Sequence, residues 1–444
     1  MMNVSDTVAT MRRSLDDSPM MAGRILIVAL VVLIAGLDGY DVQSMSFVAP
    51  VVSKAWGVNK AMLGITLGSS LFGMAAGSLG LSPLADVFGR RPIVLGGIFL
   101  MTLGSLFSAL SHTVRELASS RALTGVGIGV LVPLTTAMAA EFSNARRRGL
   151  SVAATTTGFA FGGVSGGLIA AALLKTQAWV WVFYVGASVG AVLFLLTTIA
   201  LPESPAYLSK RQPVNALSRL NRVLQRLGQA PVAALPQPAG RQRVSYRGLF
   251  TPGVAGMTIR FAAVYMLVVT AAYYLLSWLP QLIADAGFPA STAAMVSAIT
   301  ALVGVPAGLI FGALSARVGP LRLTSIAMIG FGAAIAGIGF APPSLPALLT
   351  AASACGFFLA ATTAVFYTSM TASYPPLVRV SGMGLVMGLG RLASGLGPTL
   401  AGAMFAAGLT RSAVSLSFAA LACLGGLILA FGIRRSPQGL VKPA

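Results

Sequence analysis

Acidic residues are scarce in this chain: ten Asp and Glu against thirty Lys and Arg, with charged side chains at only 9% of 444 residues. Soluble domains carry about 25%, so a soluble enzyme is excluded. Cysteine is almost absent, and Cys355 and Cys423 sit in apolar runs without CxxC or metal-ligand spacing, which leaves no basis for a disulfide framework or a zinc site. The single histidine, His112, lies in the polar stretch SHTVREL between hydrophobic runs and reads as a loop residue rather than a proton relay. With no paired His, no nucleophile constellation and loops too short for a catalytic domain, neither an enzyme nor a cofactor or metal is expected. The first 23 residues are polar and the first apolar run is long enough to span, so no cleavable signal is expected.

What is abundant is apolar. Hydrophobic residues make up 56% of the chain and the mean hydropathy is +0.86. A helix crossing the bilayer core takes about 20 residues, so the composition allows on the order of twelve spans. A formal charge of +20 would suggest nucleic acid as the partner of a soluble protein. In a membrane protein it reports orientation instead, because cytoplasmic loops retain Lys and Arg, and no nucleic-acid partner is expected. Apolar runs between charge clusters place spans near 24–50, 60–83, 92–111, 115–140, 150–174 and 178–200, then near 257–283, 291–315, 322–340, 345–370, 380–407 and 411–433. With both termini cytoplasmic, only Lys54, Lys60, Arg115, Lys175 and Arg411 fall in outer segments, while the inner ones collect nearly all the rest.

The expected architecture is an all-α membrane protein of two six-helix bundles. A cytoplasmic tail covers 1–23, the first bundle 24–202, a basic cytoplasmic linker 203–256, the second bundle 257–433 and a cytoplasmic tail 434–444. Within the linker, PVNALSRLNRVLQRLG puts Leu217, Leu220, Leu224 and Leu227 on one helical face, with Arg219, Arg222 and Arg226 elsewhere. That pattern suits a helix lying on an anionic leaflet and equally a solvated connector. The halves carry a faint repeat: PLADVFGRR (83–91) and ALSARVGPLR (313–322) align Gly89 with Gly319 and Asp86 with Ala316, so the second copy lacks the acid. Six plus six spans with recurring turns imply two bundles rocking about a central site.

Among the acidic residues only Asp38 and Asp41 lie well inside an apolar run, IVALVVLIAGLDGYDVQSMSFVAP, and only Arg121 and Arg391 do so among the basic ones. A charge at mid-bilayer costs about 2.5–3.5 kcal/mol even on the lenient insertion scale, so these four uncompensated would cost roughly 10–14 kcal/mol, comparable with the whole stability of a domain. They must face water or one another. Asp38 and Asp41, three apart, share a helical face, and Gly39 between them admits backbone or ligand closely. Two neighbouring carboxylates in a low dielectric do not readily both ionise, as a proton carrier requires. A fixed salt-bridge network joining spans 1, 4 and 11 is the other reading.

Arg121 opens RALTGVGIGVLVP, where Gly125, Gly127 and Gly129 let another helix pack tightly, and it can pair with an Asp or with an anion. Arg391 stands in the still more apolar GMGLVMGLGRLASGLGP. Its planar fork matches a carboxylate in two hydrogen bonds, so it reads as binding a substrate carboxylate or, failing that, backbone carbonyls. In AAYYLLSWLPQL, which holds Tyr273, residues Tyr274, Trp278 and Gln281 follow i, i+4, i+7. With Phe366 and Tyr367 of span 10 they could sandwich a flat ring, although Trp and Tyr are also common at membrane interfaces.

These motifs resemble the major facilitator superfamily: PLADVFGRR its signature turn between spans 2 and 3, RALTGVGIG its span-4 Arg-Gly pattern, and LPESPAYL (201–208) the close of its first half. More narrowly, LDGYDVQSMSFVAP resembles the DGxD first span of the aromatic acid:proton symporters, typified by 4-hydroxybenzoate and protocatechuate permeases. YYLLSWLPQL and YPPLVRVSGMGLVMGLGRL resemble that family's spans 7 and 11. The resemblance runs from about residue 24 to 433. It implies Asp38 and Asp41 as coupling acids, Arg391 as a substrate or coupling residue, and Asp86 and Arg90 as part of a cytoplasmic gate with Gly89, Arg91 and Glu141. Two departures loosen that gate: Ser82 stands where the turn usually has Gly and Val87 where it usually has Arg. In GFAFGGVSGG (158–167), Gly163 replaces the Pro of the antiporter pattern GxxxGPxxGG, which weighs against drug efflux.

The combined expectation is a proton-coupled symporter of the bacterial inner membrane, importing a benzoate-like or hydroxybenzoate-like carboxylate by alternating access. Its partners would be the aromatic anion, protons and the lipid bilayer, and it would act as a monomer without cofactor. Asp38, Asp41 and Arg121 are assigned to proton coupling, and Arg391, Tyr274, Trp278, Gln281 and Tyr367 to substrate. A proton-coupled exporter of drugs or metabolites is the alternative.

Overall fold

A computed structural model describes residues 16–235, 246–252, 254–375 and 378–433. Arg12, Arg13, Arg241, Arg243, Arg434, Arg435 and Lys442, which belong to the expected tails and linker, lie outside the described residues. Within the described residues all regular structure is helical, as a bilayer demands, since it offers no water to unpaired backbone groups.

Among the described residues eleven helical segments are long and apolar enough to span, the second of them running from Lys60 to Phe88. They are α1 (Ala22–Ala55), α2 (Lys60–Ala76), α3 (Arg90–Ala109), α4 (Val114–Glu141), α5 (Arg148–Thr176), α6 (Val180–Ala200), and, after two short linker helices α7 (Pro205–Arg211) and α8 (Ala216–Arg226), α9 (Ala255–Asp285), α10 (Ala290–Val318), α11 (Pro320–Phe340) and α12 (Leu345–Ser373). After α12 come two shorter helices, α13 (Arg379–Ser394) and α14 (Leu396–Ala406), and then the last spanning helix, α15 (Arg411–Ile433). The span expected over 380–407 is therefore interrupted at Gly395. Pro398 explains the break, because it has no N–H for the Ser394 carbonyl and its ring crowds that carbonyl. Large apolar side chains such as Ile199, Leu309 and Phe161 are mostly exposed, a surface suited to lipid rather than water.

α2 does not end cleanly. It passes into a π segment at Gly77–Leu81, a tight turn at Ser82–Leu84 and a last helical turn at Ala85–Phe88. The chain then reverses at Gly89, whose φ of 108° only glycine adopts without strain. Its repeat partner Gly319 has φ 90° between α10 and α11, so the faint sequence repeat marks one backbone conformation made twice.

By contacts the chain divides into two compact units: Met1–Ser44, Ser69–Ile169 and Gln177–Arg243 form one, and Met45–Gly68, Ala170–Thr176 and Val244–Ala444 the other. The sequence halves and the compact units are thus different partitions, since the end of α1 and the start of α2 belong to the second unit.

Within the first unit, close approach of backbones fixes the packing. A Cβ at Gly125 or Gly129 would strike the α2 backbone at Ser70 or Met74, and one at Gly127 would strike α3 at Gly97 and Met101. Residues 16–24, leading into the first turn of α1, form a strap over the α4–α5 turn: Arg148 pairs with Asp16, Asn144 Nδ2 donates to the Ser18 carbonyl at 3.0 Å, and the buried Arg24 Nε donates to the Phe142 carbonyl at 2.9 Å. The face of α8 expected on a leaflet or in solvent is instead taken up by protein: Leu220, Val223, Leu224 and Leu227 are buried while Arg219, Arg222 and Arg226 are exposed. Amphipathic spacing shows that a helix has an apolar face but not what covers it, and here Met21 and Gly23, at the start of α1, lie against Gly228 and the Arg226 carbonyl. In the second unit, Phe261, Val264, Val268, Met328, Phe366 and Val386 belong to one buried cluster joining α9, α11, α12 and α13.

Candidate functional site

Three polar constellations stand out, each inside one unit. The first is at the middle of α1. Asp38 and Asp41 are each 1% exposed and Arg121 is fully buried. Arg121 Nη1 lies 3.8 Å from Asp41 Oδ1, and Nη2 donates to the Asp41 carbonyl. Ser105 of α3 donates to the same Oδ1 at 2.7 Å, and Ser44 donates to the Asp41 carbonyl at 2.8 Å. The Phe183 ring sits 5.4 Å from the guanidinium, and Tyr40 donates to the Val182 carbonyl at 2.6 Å, tying α1 to α6. Gly39 supplies the close approach its position suggested: a Cβ there would collide with the Phe159 backbone of α5. Asp41 and Arg121 are thus brought together as the sequence suggested, and Ser105 is a partner it did not reveal. A carboxylate so placed has a cation and a hydroxyl to stabilise its charged form and an apolar bundle to favour its neutral one.

The second constellation is the turn after α2. Glu203 accepts from the backbone N–H groups of Arg90 at 2.9 Å and Arg91 at 3.2 Å, placing a carboxylate on the N-terminus of α3, where free N–H groups and the helix dipole favour negative charge. Arg90 pairs with Glu141 at the end of α4, and Ser204 donates to the other Glu141 oxygen at 2.6 Å. Arg91 donates to the Thr198 carbonyl at 2.6 Å. Gly89 is buried against Glu203. Asp86 is exposed, and its carbonyl rather than its carboxylate accepts from Arg211 Nε at 2.7 Å. Glu203 was discernible as the last acid before the basic linker, but its role was not.

The third lies in the second unit, around Arg391 of α13. Tyr265, Tyr273, Tyr367 and Arg391 are all half-buried. The Arg391 charge is felt by both Tyr265 and Tyr273, and the preceding residue, Gly390, lies against the Tyr265 ring. That ring stacks on Phe366 of α12 with centroids 5.1 Å apart and planes 13° from parallel, and its hydroxyl is 3.4 Å from that of Tyr367.

The face of Tyr274, Trp278 and Gln281 is occupied otherwise. Tyr274 is buried, stacked 4.2 Å from Phe418 and bonded to Ser415 at 2.8 Å. Trp278 is buried against Phe405 and donates to the Pro398 carbonyl at 3.0 Å. Gln281 donates to Asp285 at 2.8 Å, and Asp285 pairs with Lys60 at 2.6 Å. These three residues do share a helical face as their spacing required, but it is filled by α14, α15 and the start of α2. Tyr265, which lies against Gly390 just before Arg391, is an aromatic that its sequence context did not single out.

The family described as Major Facilitator Superfamily matches residues 31–344 and 261–444. The 4-hydroxybenzoate transporter of Pseudomonas aeruginosa is 30% identical over 380 residues, 84% of each chain. The gallate transporter of Pseudomonas putida is 29% identical over 399 residues, 89% of this chain and 88% of that one. Among solved structures, a bacterial homologue of the human lysosomal transporter Spinster has a TM-score of 0.76 at 15% identity, covering 96% of this chain and 100% of its own. A D-xylose-proton symporter gives 0.70 at 17% identity over 91% of this chain and 97% of its own. At such identities the likeness is one of fold.

Proposed function

Because the chain belongs to the major facilitator superfamily and so is a multi-pass membrane transporter, we propose that it imports an aromatic carboxylate together with protons across a bacterial inner membrane, by alternating access and with both termini cytoplasmic. The observation that carries this reading is the buried Asp41–Arg121 pair with Ser105 on the same carboxylate oxygen. Relatives named for gallate and 4-hydroxybenzoate support the substrate class, as does a half-buried guanidinium whose charge reaches two tyrosines.

Asp38 and Asp41 are the coupling acids, and Arg121 sets how readily Asp41 gives up its proton. Protonation favours binding of the anion at Arg391, among Tyr265, Tyr273 and Tyr367. Occupancy of both sites then permits the bundles to rock, because a closing cavity that holds an unneutralised charge carries a large desolvation cost. Glu203, Glu141, Arg90, Arg91 and Gly89, with Asp86, form the cytoplasmic gate. One proton with a monoanion moves no net charge, whereas a second adds about 2.3 kcal/mol of drive per 100 mV.

The test is uptake of labelled 4-hydroxybenzoate into proteoliposomes under an acid-outside gradient, with unlabelled aromatic acids as competitors. Gradient-stimulated uptake that competitors suppress supports the reading. Folded, inserted protein that takes up none of the acids refutes the substrate class.

A further inference from the structure

Two sets of tyrosines within the bundles contrast. Tyr40, Tyr274 and Tyr374 are buried, and each hydroxyl has a partner: the Val182 carbonyl at 2.6 Å, Ser415 at 2.8 Å and Thr258 at 3.2 Å. Tyr265 and Tyr367 are half-buried, and the hydroxyl contact they share is 3.4 Å, well beyond the usual 2.7–2.8 Å of an O–H···O bond. A phenol offers one donor and also accepts, so this pair keeps hydrogen-bonding capacity that the packing tyrosines have spent. The pair is nevertheless held in place. Tyr265 stacks on Phe366, which is 1% exposed, and has Gly390 against its edge; Tyr367 is the next residue along α12. The Arg391 charge reaches Tyr265, so a cation and two under-used hydroxyls stand on neighbouring helices of one unit.

We infer that Tyr265 and Tyr367 select for a hydroxyl on the ring of the transported acid, so that ring-hydroxylated carboxylates are carried in preference to unsubstituted ones. The inference rests on the reading of Arg391 as the site for an aromatic carboxylate. An apolar pocket discriminates weakly between a ring and its hydroxylated relative, whereas a site built to hydrogen-bond a substrate hydroxyl rejects the analogue that lacks it, because its own polar groups are then left unpaired. With the carboxylate at Arg391, the ring hydroxyl takes the place between Tyr265 and Tyr367, donating to one phenol oxygen and accepting from the other. The pair belongs to the second unit and is assigned to which acid is carried, while the coupling acids of the first unit are assigned to whether a proton accompanies it.

The experiment compares initial uptake of labelled 4-hydroxybenzoate and labelled benzoate by the full chain in proteoliposomes, for wild type, Tyr265→Phe and Tyr367→Phe. Wild type is expected to favour 4-hydroxybenzoate by about tenfold or more in kcat/KM, the order that one net hydrogen bond confers. Each Phe variant keeps its ring and its packing. It should lower 4-hydroxybenzoate uptake several-fold more than benzoate uptake and so bring the ratio toward one; thermal unfolding of each variant in detergent, compared with wild type, checks the fold separately. The inference is overturned if wild type shows no preference, if both Phe variants keep the wild-type ratio, or if both lose the two acids equally. If wild type carries neither acid, the reading of the Arg391 site falls and takes this inference with it.

Discussion

Arg121 holds Asp41 by two groups at once: Nη1 lies 3.8 Å from the carboxylate Oδ1 while Nη2 donates to the carbonyl of the same residue. The guanidinium is thus anchored to the α1 backbone as well as to the carboxylate, and its contact with the carbonyl does not itself depend on the charge of the side chain.

Asp41→Asn fixes the side chain at that position in a neutral form. Gradient-driven uptake should fall to background, and exchange of labelled for unlabelled substrate across the membrane, which needs no net proton release, should persist. Measuring both in one proteoliposome preparation separates lost coupling from lost binding; loss of exchange as well would show that Asp41 is needed for more than protons.

Arg121→Ala leaves Asp41 buried with Ser105 as its remaining side-chain partner. Breaking a buried ion pair by removing one partner costs about 3–5 kcal/mol, so the variant should unfold at markedly lower temperature in detergent. The double variant Arg121→Ala with Asp41→Asn should recover part of that loss. A single variant as stable as wild type would mean that water already reaches the pair.

Lys60 and Asp285 make a shorter contact, 2.6 Å, yet their side chains are 31% and 47% exposed. Solvent screening limits such a pair to about 0–1 kcal/mol. A double-mutant cycle with Lys60→Met and Asp285→Asn, read by thermal unfolding, should return a coupling in that range that shrinks further at high salt. A coupling several times larger would show the pair to be shielded from water.

At Gly89 the backbone has φ 108° and an added Cβ would lie 2.5 Å from Glu203 Oε2. Gly89→Ala should cost roughly 1–3 kcal/mol in backbone strain and displace the carboxylate from the N-terminus of α3. Slower uptake together with lower unfolding temperature is the expected outcome. Glu203→Gln should reproduce the first effect with less of the second, since it keeps an acceptor but removes the charge.

Spans were legible because about 20 apolar residues bounded by charge have few other fates, and Asp38, Asp41 and Arg121 because intramembrane charge is costly enough to betray itself. Gly89 and Gly319 were legible for a related reason, since a turn with positive φ leaves a glycine behind. Partners were harder to read. Ser105 is one serine among many, and the rotation of α3 that turns it toward Asp41 leaves no trace in local spacing. The face of Tyr274, Trp278 and Gln281 was visible from its period, but its occupants, Pro398, Phe405, Ser415 and Phe418, come from helices more than a hundred residues later. The interruption at Gly395 was written in the GLGP sequence and obscured by the apolar residues around it.

The strap before α1 has a consequence for the order in which the protein is made. Asp16 meets Arg148, 132 residues further along the chain, and Arg24 meets Phe142, 118 further along. When the first span leaves the ribosome its strap has nothing to bind. Only after α4 and the turn behind it have been synthesised can residues 16–24 close over them. Residues 16–24, translated before everything they bind, thus settle no earlier than α4 and the turn that follows it, and changes within them act after the first four spans are made.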